Sequence, residues 1–569
     1  MKTRIILSGM LAVGALWLPN RATAGWSAVT GAPAGISTML LLSDGTVMGQ
    51  NSGGTGWYRL IPDATGNYSD GTWTNNINSM AYTRTYFASD MLQNGKMFVS
   101  GGELGNGSDY IEIYDPIANN WADYGPAYFG GMADSESELL NTGQILLEPQ
   151  ATTGSYGDDT FLFNPASPGS ASNPSFTEVT PLNGLGESSW VKMPDDSILT
   201  VDSDDSSYGA TTAEKYVPSS GEWVSASTLP VSIWANLPTG HIVGETGPGF
   251  LLPNGNAIFF GGNGNTAIYQ AGSGTWVQGP TIPNGQVMAD APGAMMPNGK
   301  ILLCVGPQLE DNANPNSPSD WQSPVSFYEY DYSAGATGAF TQVLAPGNSS
   351  YTLNTVTFPC RMLVLPSGNV LFTTGGSQLY IWQVDSGPLA AGQPTINNVQ
   401  WNSDGSLKVT GTLFDGISEG AAYGDDQQMA TDFPLVKFTS GSDVYYGRTY
   451  NWSSTSVQTG GRTMTTQVTV PPAVLDFPGS FSLQVVANGN ASAAVTFYSP
   501  VWVNFSYSGF PFQLGWYSFP YNTLAGGTNA VTSGGTVAIE SSGTVSGETM
   551  TITKPMTIIS VGGPSSIGN

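Results

Sequence analysis

Between residues 36 and 376 the hydrophobic pattern is a pair of short apolar runs broken by one polar turn, and it recurs seven times. The copies are TMLLLSDGTVMG around Gly45, SDMLQNGKMFVSGG around Gly95, ESELLNTGQILLE around Gly143, SSWVKMPDDSILTV around Asp196, GFLLPNGNAIFFGG around Gly255, GAMMPNGKILLCVG around Gly299 and RMLVLPSGNVLFTTGG around Gly368. Each is the signature of a β-hairpin whose turn needs a residue at positive φ. A third strand ending near Tyr follows several hairpins, and a fourth opens with Trp. Tyr114 and Trp121, Tyr216 and Trp223, and Tyr269 and Trp276 keep one separation.

A hairpin plus two further strands is one four-stranded propeller blade, so the repeats predict an all-β, seven-bladed β-propeller over residues 25–387. The seventh repeat lacks its Trp-led fourth strand, and Gly25-Trp26-Ser27-Ala28 resembles that missing piece. The N-terminus is therefore expected to close the ring and leave no unpaired edge. Residues 388–500 alternate as about seven strands without a helical period, the pattern of an immunoglobulin-like sandwich. Residues 501–569 give short strands with Gly turns, as in rungs of a parallel β-helix, and are expected to dock on the sandwich or fray.

Composition fits these elements: charged residues are 10% of the 569, and Gly (73) and Pro (38) are abundant. Residues 1–24 read as a secretory signal peptide. Lys2 and Arg4 precede the apolar run Ile5 to Leu18, and Ala22-Thr23-Ala24 is the cleavage site. The expected mature chain is secreted, periplasmic or on the cell surface, of bacterial type, with no membrane span. Loss of Lys2, Arg4 and Arg21 would take the formal charge from −27 to −30, which excludes nucleic acid as a partner and suits cations or neutral ligands such as glycans. Cys304 and Cys360 are too few for a disulfide scaffold, and whether they pair is left open. The single histidine, His241, excludes any site needing two imidazoles.

Gly-Gly pairs at 101–102, 261–262 and 375–376 end second strands, as in kelch repeats. A kelch propeller followed by an immunoglobulin-like (E-set) domain resembles the galactose oxidase and glyoxal oxidase family. ISEGAAYGDDQQMATDFPLV looks like that family's loop reaching from the sandwich into the propeller mouth. The resemblance implies a copper-radical site of two tyrosines, two histidines and a cysteine bonded to one tyrosine. Only Tyr86, in Arg84-x-Tyr86, is retained. The cysteine position falls at Ile36, the Tyr-His pair at Phe358-Pro359 and the last histidine near Ala421. Copper-radical oxidation is not expected of this chain.

Counting nine residues back from each hairpin turn gives Ile36, Tyr86, Asp134, Glu187, Thr246 beside Glu245, Asp290 and Pro359. These positions are expected to start the innermost strands and ring the channel. Four successive blades then place a carboxylate there, and such a rim is solvated, binds a cation such as calcium, or shares a proton. Asp202-Ser203-Asp204-Asp205 and the insertion around Glu310, Asp311 and Asp320 read as exposed turn and face loop. Three functions stay open: binding of an extracellular ligand such as a glycan, carbohydrate chemistry by Asp134, Glu187, Glu245 and Asp290, and a structural surface module.

Overall fold

A computed structural model describes residues 24–133, 136–148, 159–170, 173–202, 211–235, 237, 245–310, 320–424, 427–477, 479–509, 511–540 and 545–568. The expected signal peptide up to Thr23, together with Asp134, His241 and the 203–205 turn, lies outside the described residues. The fold is all-β, with short helices at Pro472–Leu475 and Leu524–Ala530. Among the described residues no helix is long and apolar enough to cross a membrane.

Six separate four-stranded antiparallel sheets are arranged as propeller blades, and a seventh, larger sheet joins them. All seven hairpins share one register. The last pair before each turn is Leu41 with Val47, Met91 with Met97, Leu139 with Ile145, Lys192 with Ile198, Leu251 with Ala257, Met295 with Ile301 and Val364 with Val370. In the first turn the Gly45 N–H donates to the Leu42 carbonyl (2.9 Å) and the Leu42 N–H to the Thr46 carbonyl (2.8 Å). That is a type I turn followed by a left-handed residue, the geometry that selects glycine. Asp196 fills the same role at φ 66°.

The first strands of neighbouring sheets lie side by side. Ile36–Leu41 sits beside Arg361–Val364, which sits beside Pro292–Met295; Ala88–Met91 sits beside Ser137–Leu139, and Trp190–Lys192 beside Gly249–Leu251. These strands therefore surround the axis. The N-terminal strand Gly25–Ala28 completes the sheet of Tyr380–Gln383, pairing Trp26 with Trp382, and the Trp26 indole donates to the Leu344 carbonyl (2.6 Å). Trp–Tyr pairs on the outer strands pack as their spacing implied, with ring centroids 5.1 Å apart for Tyr114–Trp121 and 5.2 Å for Tyr269–Trp276.

The C-terminal part docks on the turn face of the propeller. A Cβ on Gly45 would stand 2.6 Å from the Tyr446 ring, and one on Gly95 2.7 Å from the Arg448 guanidinium, so the turns are glycine for docking as well as for φ. Eight strands within residues 395–498 form an antiparallel sheet. It folds back until Thr395–Trp401 meets Ser480–Ala487, around a core of Val409, Phe438, Phe481, Leu483 and Phe497.

From this domain the hairpin of Gly420–Tyr423 and Gln427–Ala430 runs into the ring. Gly420–Tyr423 pairs with Pro292–Met295, and with Gln427–Ala430 it brings the larger sheet to seven strands. The hairpin also packs beside Ile36–Leu41, Ala88–Met91 and Arg361–Val364, and Gln428 donates to the Trp190 carbonyl (2.9 Å). The axis is thus occupied by a protein spike rather than an open channel.

The tail adds parallel pairings, Val501–Val503 to Thr536–Glu540 and Thr536–Glu540 to Thr557–Val561. It docks on the sheet domain: Trp502 meets Trp401 edge-on at 6.3 Å, and the Ser518 N–H and hydroxyl both donate to Asp476 (2.8 Å). The helix Leu524–Ala530 was not legible, since its sequence LAGGTNA has no apolar period. It is held by caps, with Thr523 accepting from the Gly526 N–H and Glu548 from the Leu524 and Ala525 N–H groups.

Candidate functional site

The positions nine residues before each turn do not open the inner strands, apart from Ile36. The strands begin two or three residues later, at Ala88, Trp190, Gly249, Pro292 and Arg361. The preceding positions turn the chain at the ring's edge opposite the docked domain. Three of them take the left-handed backbone conformation: Tyr86 (φ 50°), Glu187 (φ 62°) and Asp290 (φ 44°). Non-glycine residues adopt it at a cost, and such outliers gather at binding sites.

The spike delivers its tip to this edge. Tyr423 stacks on Tyr86, with ring centroids 6.1 Å apart and planes 22° from parallel. The Arg361 guanidinium lies 3.3 Å from the Tyr423 ring centre and 5.1 Å from that of Tyr86. Its Nη1 donates to the Phe358 (2.7 Å) and Cys360 (2.8 Å) carbonyls, which fixes the guanidinium plane. Desolvated cation–π contacts of this kind contribute about 2 kcal/mol. Beside the stack is a cavity of about 60 Å³ lined by Ser37, Thr38, Ser52, Thr85, Tyr86 and Arg361 among others.

Asp290 and Glu245 come together. Gly424, next to Tyr423, donates its N–H to the Ala291 carbonyl (3.1 Å), and a Cβ on it would stand 3.4 Å from an Asp290 carboxylate oxygen. Burial, then the charge of Glu245 and a hydrogen bond with it, push the Asp290 carboxyl well above the ordinary range, with Arg361 opposing and Glu103 reinforcing. Asp290 is therefore the carboxyl of the pair pushed toward keeping its proton.

Among the other predicted positions, Glu187 is half-buried at its own turn. Thr246 is buried and bonds backbone carbonyls of Gly247 (3.2 Å) and Phe260 (3.4 Å). Pro359 lines the cavity, Phe358 packs edge-on against Trp321, Ile36 is a buried strand residue, and Ala421 is buried between Ala294 and Met429 in its sheet. Asp134 lies outside the described residues. Arg361, Tyr423 and Glu103 were missed. A lone arginine opening the apolar run RMLVLP was the available signal for the first.

The copper implied by the resemblance does not fit these residues. Two phenols remain, and a permanent cation, the Arg361 guanidinium, lies against both rings where a second positive charge would be repelled. No imidazole occurs among the described residues. For calcium, no group of three or more Asp, Glu, His or Cys among the described residues is arranged to hold an ion.

A second charged cluster sits at the spike's base. The Lys192 Nζ lies 3.2 Å from Glu138, 3.2 Å from Glu419 and 3.5 Å from Asp432, all buried, and Asp90 is close by. Asp90 accepts from the Ser137 hydroxyl (2.6 Å) and the Leu139 N–H (3.1 Å). Burial pulls Lys192 down, but the surrounding carboxylates carry it well above the usual ammonium range. One cation cannot balance four buried carboxylates, so protons are retained. Burial raises Asp90 to about 6 and Asp432 to about 7, and burial with Glu419 pushes Glu138 well up.

No family model matches the chain, and no curated protein does. Among solved structures it is similar to a fungal alcohol oxidase of the AA5 family in complex with copper, at 14% identity over 84% of this chain and 99% of that one, with a TM-score of 0.47. It is also similar to virginiamycin B lyase from Staphylococcus aureus (10% identity, 64% and 99% covered, TM-score 0.39). A third is the extracellular domain of a one-component system protein from B. thetaiotaomicron (13%, 71% and 48%, 0.40). These are likenesses of the propeller fold, and fold alone carries no activity.

Proposed function

We propose that the chain is a secreted, seven-bladed kelch-type propeller that binds a neutral extracellular glycan at the edge where the spike emerges. In this reading the first four strands of the larger sheet are the seventh blade, residues 388–500 are an immunoglobulin-like E-set domain, and residues 501–569 are β-helix-like rungs. The carrying observation is the meeting of the half-buried Tyr86, Glu245 and Asp290 at one edge, backed by the buried Tyr423 and Arg361. An aromatic face takes the apolar side of a sugar ring, while carboxyls and hydroxyls take its hydroxyl groups. With the Arg361 guanidinium set against the carboxyl pair, the edge carries charges of both signs, which suits a neutral ligand.

Glycoside hydrolysis by this pair is disfavoured by distance. Carboxyls in hydrogen-bond contact stand closer than the roughly 5–5.5 Å of retaining or 6.5–9.5 Å of inverting enzymes. A glycan array tests the proposal: the wild type is expected to bind a subset of neutral oligosaccharides, and a Tyr86→Ala/Asp290→Asn variant to lose them. Unchanged binding by the variant removes this edge as the site.

A further inference from the structure

Cys304 and Cys360 are the two cysteines of the chain, and both are buried free thiols. They belong to neighbouring sheets: Cys304 is in Lys300–Val305 of the larger sheet, and Cys360 directly precedes Arg361–Val364 of the ring-closing sheet. Several contacts bring them together. Gly306 shares a strand face with Cys304, and a Cβ on it would stand 3.1 Å from Thr357 Cγ2. The Cys360 N–H closes a turn on the Thr357 carbonyl (2.9 Å), and the Cys360 thiol donates to the Val356 carbonyl (3.3 Å). Both side chains lie in one packed core, with the thiols in hydrogen-bond contact.

We propose that Cys304 and Cys360 are the two halves of a disulfide that staples the larger sheet to the ring-closing sheet when the chain folds in an oxidising compartment. The oxidant is an external disulfide, either a small-molecule disulfide or that of a thiol oxidase. One cysteine thiolate attacks it and expels a first external thiolate, leaving a mixed disulfide. The second cysteine thiolate then attacks the chain's own sulfur and expels the other. Two protons leave the cysteines, the external disulfide is reduced to two thiols, and the chain loses two hydrogens.

Burial, followed by contact with Cys360, pushes the Cys304 thiol well above its usual range. Since the thiolate is the reactive form, the bridge closes before the core is sealed and resists exchange afterwards. Its location has a purpose. The closing sheet depends on a distant four-residue strand, Gly25–Ala28, for its outer edge, and the bridge ties that sheet's inner edge to its neighbour.

The test uses the full chain, exported into an oxidising compartment and denatured in maleimide without reductant. The expected result is no adduct and a mass two hydrogens below that of the reduced chain, with two adducts once reductant is added. Two adducts without reductant overturn the proposal. Stapling is read separately. Reduction is expected to lower the wild-type unfolding temperature by roughly 3–6 °C and to leave a Cys304→Ala/Cys360→Ala variant unaffected. An equal response in both proteins contradicts a stapling role, and the wild-type mass alone decides the bridge if the variant fails to fold.

Discussion

The spike meets the propeller at two charged clusters, and they differ in backbone geometry and in how much of each is sealed. At its base Lys192 is enclosed by Glu138, Glu419 and Asp432, with exposure of 4% for Lys192 and 8% for Asp432. At its tip Arg361 and Tyr423 are sealed as well, but Tyr86 and Asp290 are only half-buried, and both hold a left-handed backbone. On the propeller side the base uses normal strand geometry, with Asp90, Glu138 and Lys192 in the inner strands Ala88–Met91, Ser137–Leu139 and Trp190–Lys192. Sealed charges joining two domains hold them in register; at the tip the sealed Arg361–Tyr423 pair instead supports Tyr86 and Asp290, which stay partly open.

The largest expected effect falls on the base. Lys192→Met leaves buried carboxylates without their cation and should destabilise the chain by about 3–5 kcal/mol, read by denaturant unfolding. A loss below about 1 kcal/mol would mean that the carboxyls simply take up protons, and the contrast with the tip would blur.

A pH dependence follows next. Asp90 at about 6 and Asp432 at about 7 are raised by burial above their unfolded values near 3.8. Their stabilisation is fully present below about pH 4 and is lost as pH rises through about 7. The unfolding temperature should therefore fall between about pH 4 and 7 and level off above that, and Asp90→Asn/Asp432→Asn should flatten that slope. A slope that persists in the variant would assign it elsewhere.

Smaller still is the effect of the tip on stability. Tyr86→Ala is expected to cost about 1 kcal/mol or less of folding stability, since it loses only a partly exposed contact and leaves the left-handed backbone as it was. In the same variant glycan binding should weaken at least tenfold. Large destabilisation with intact binding would invert the comparison. Added copper is expected to yield no peroxide from primary alcohols or aldehydes, and turnover would overturn the rejection of the metal at Arg361.

Much of this was legible in the residues. Seven shared turns fixed the hairpin register, and Trp26 announced the closing strand, because period-two runs and positive-φ turns are local signals. The offset from the turns picked out Tyr86, Glu187 and Asp290 as equivalent. It misjudged their setting, since a turn rather than a strand start occupies that level. The companions Arg361 and Tyr423 depend on a hairpin inserted from another domain, which spacing within the repeats does not report. Lys192, Glu138 and Asp90 stood in view as lone charges inside the apolar runs WVKMP, SELL and SDML. Such charges in core strands demand buried partners, and that signal went unused.

A crystal structure of the chain with an array-selected oligosaccharide tests the account most directly. A sugar ring against Tyr86, with a hydroxyl on the Glu245–Asp290 pair, is the result expected. A sugar bound instead on the exposed aromatic residues of the tail, such as Phe512 and Phe519, with the spike tip bare, would contradict it.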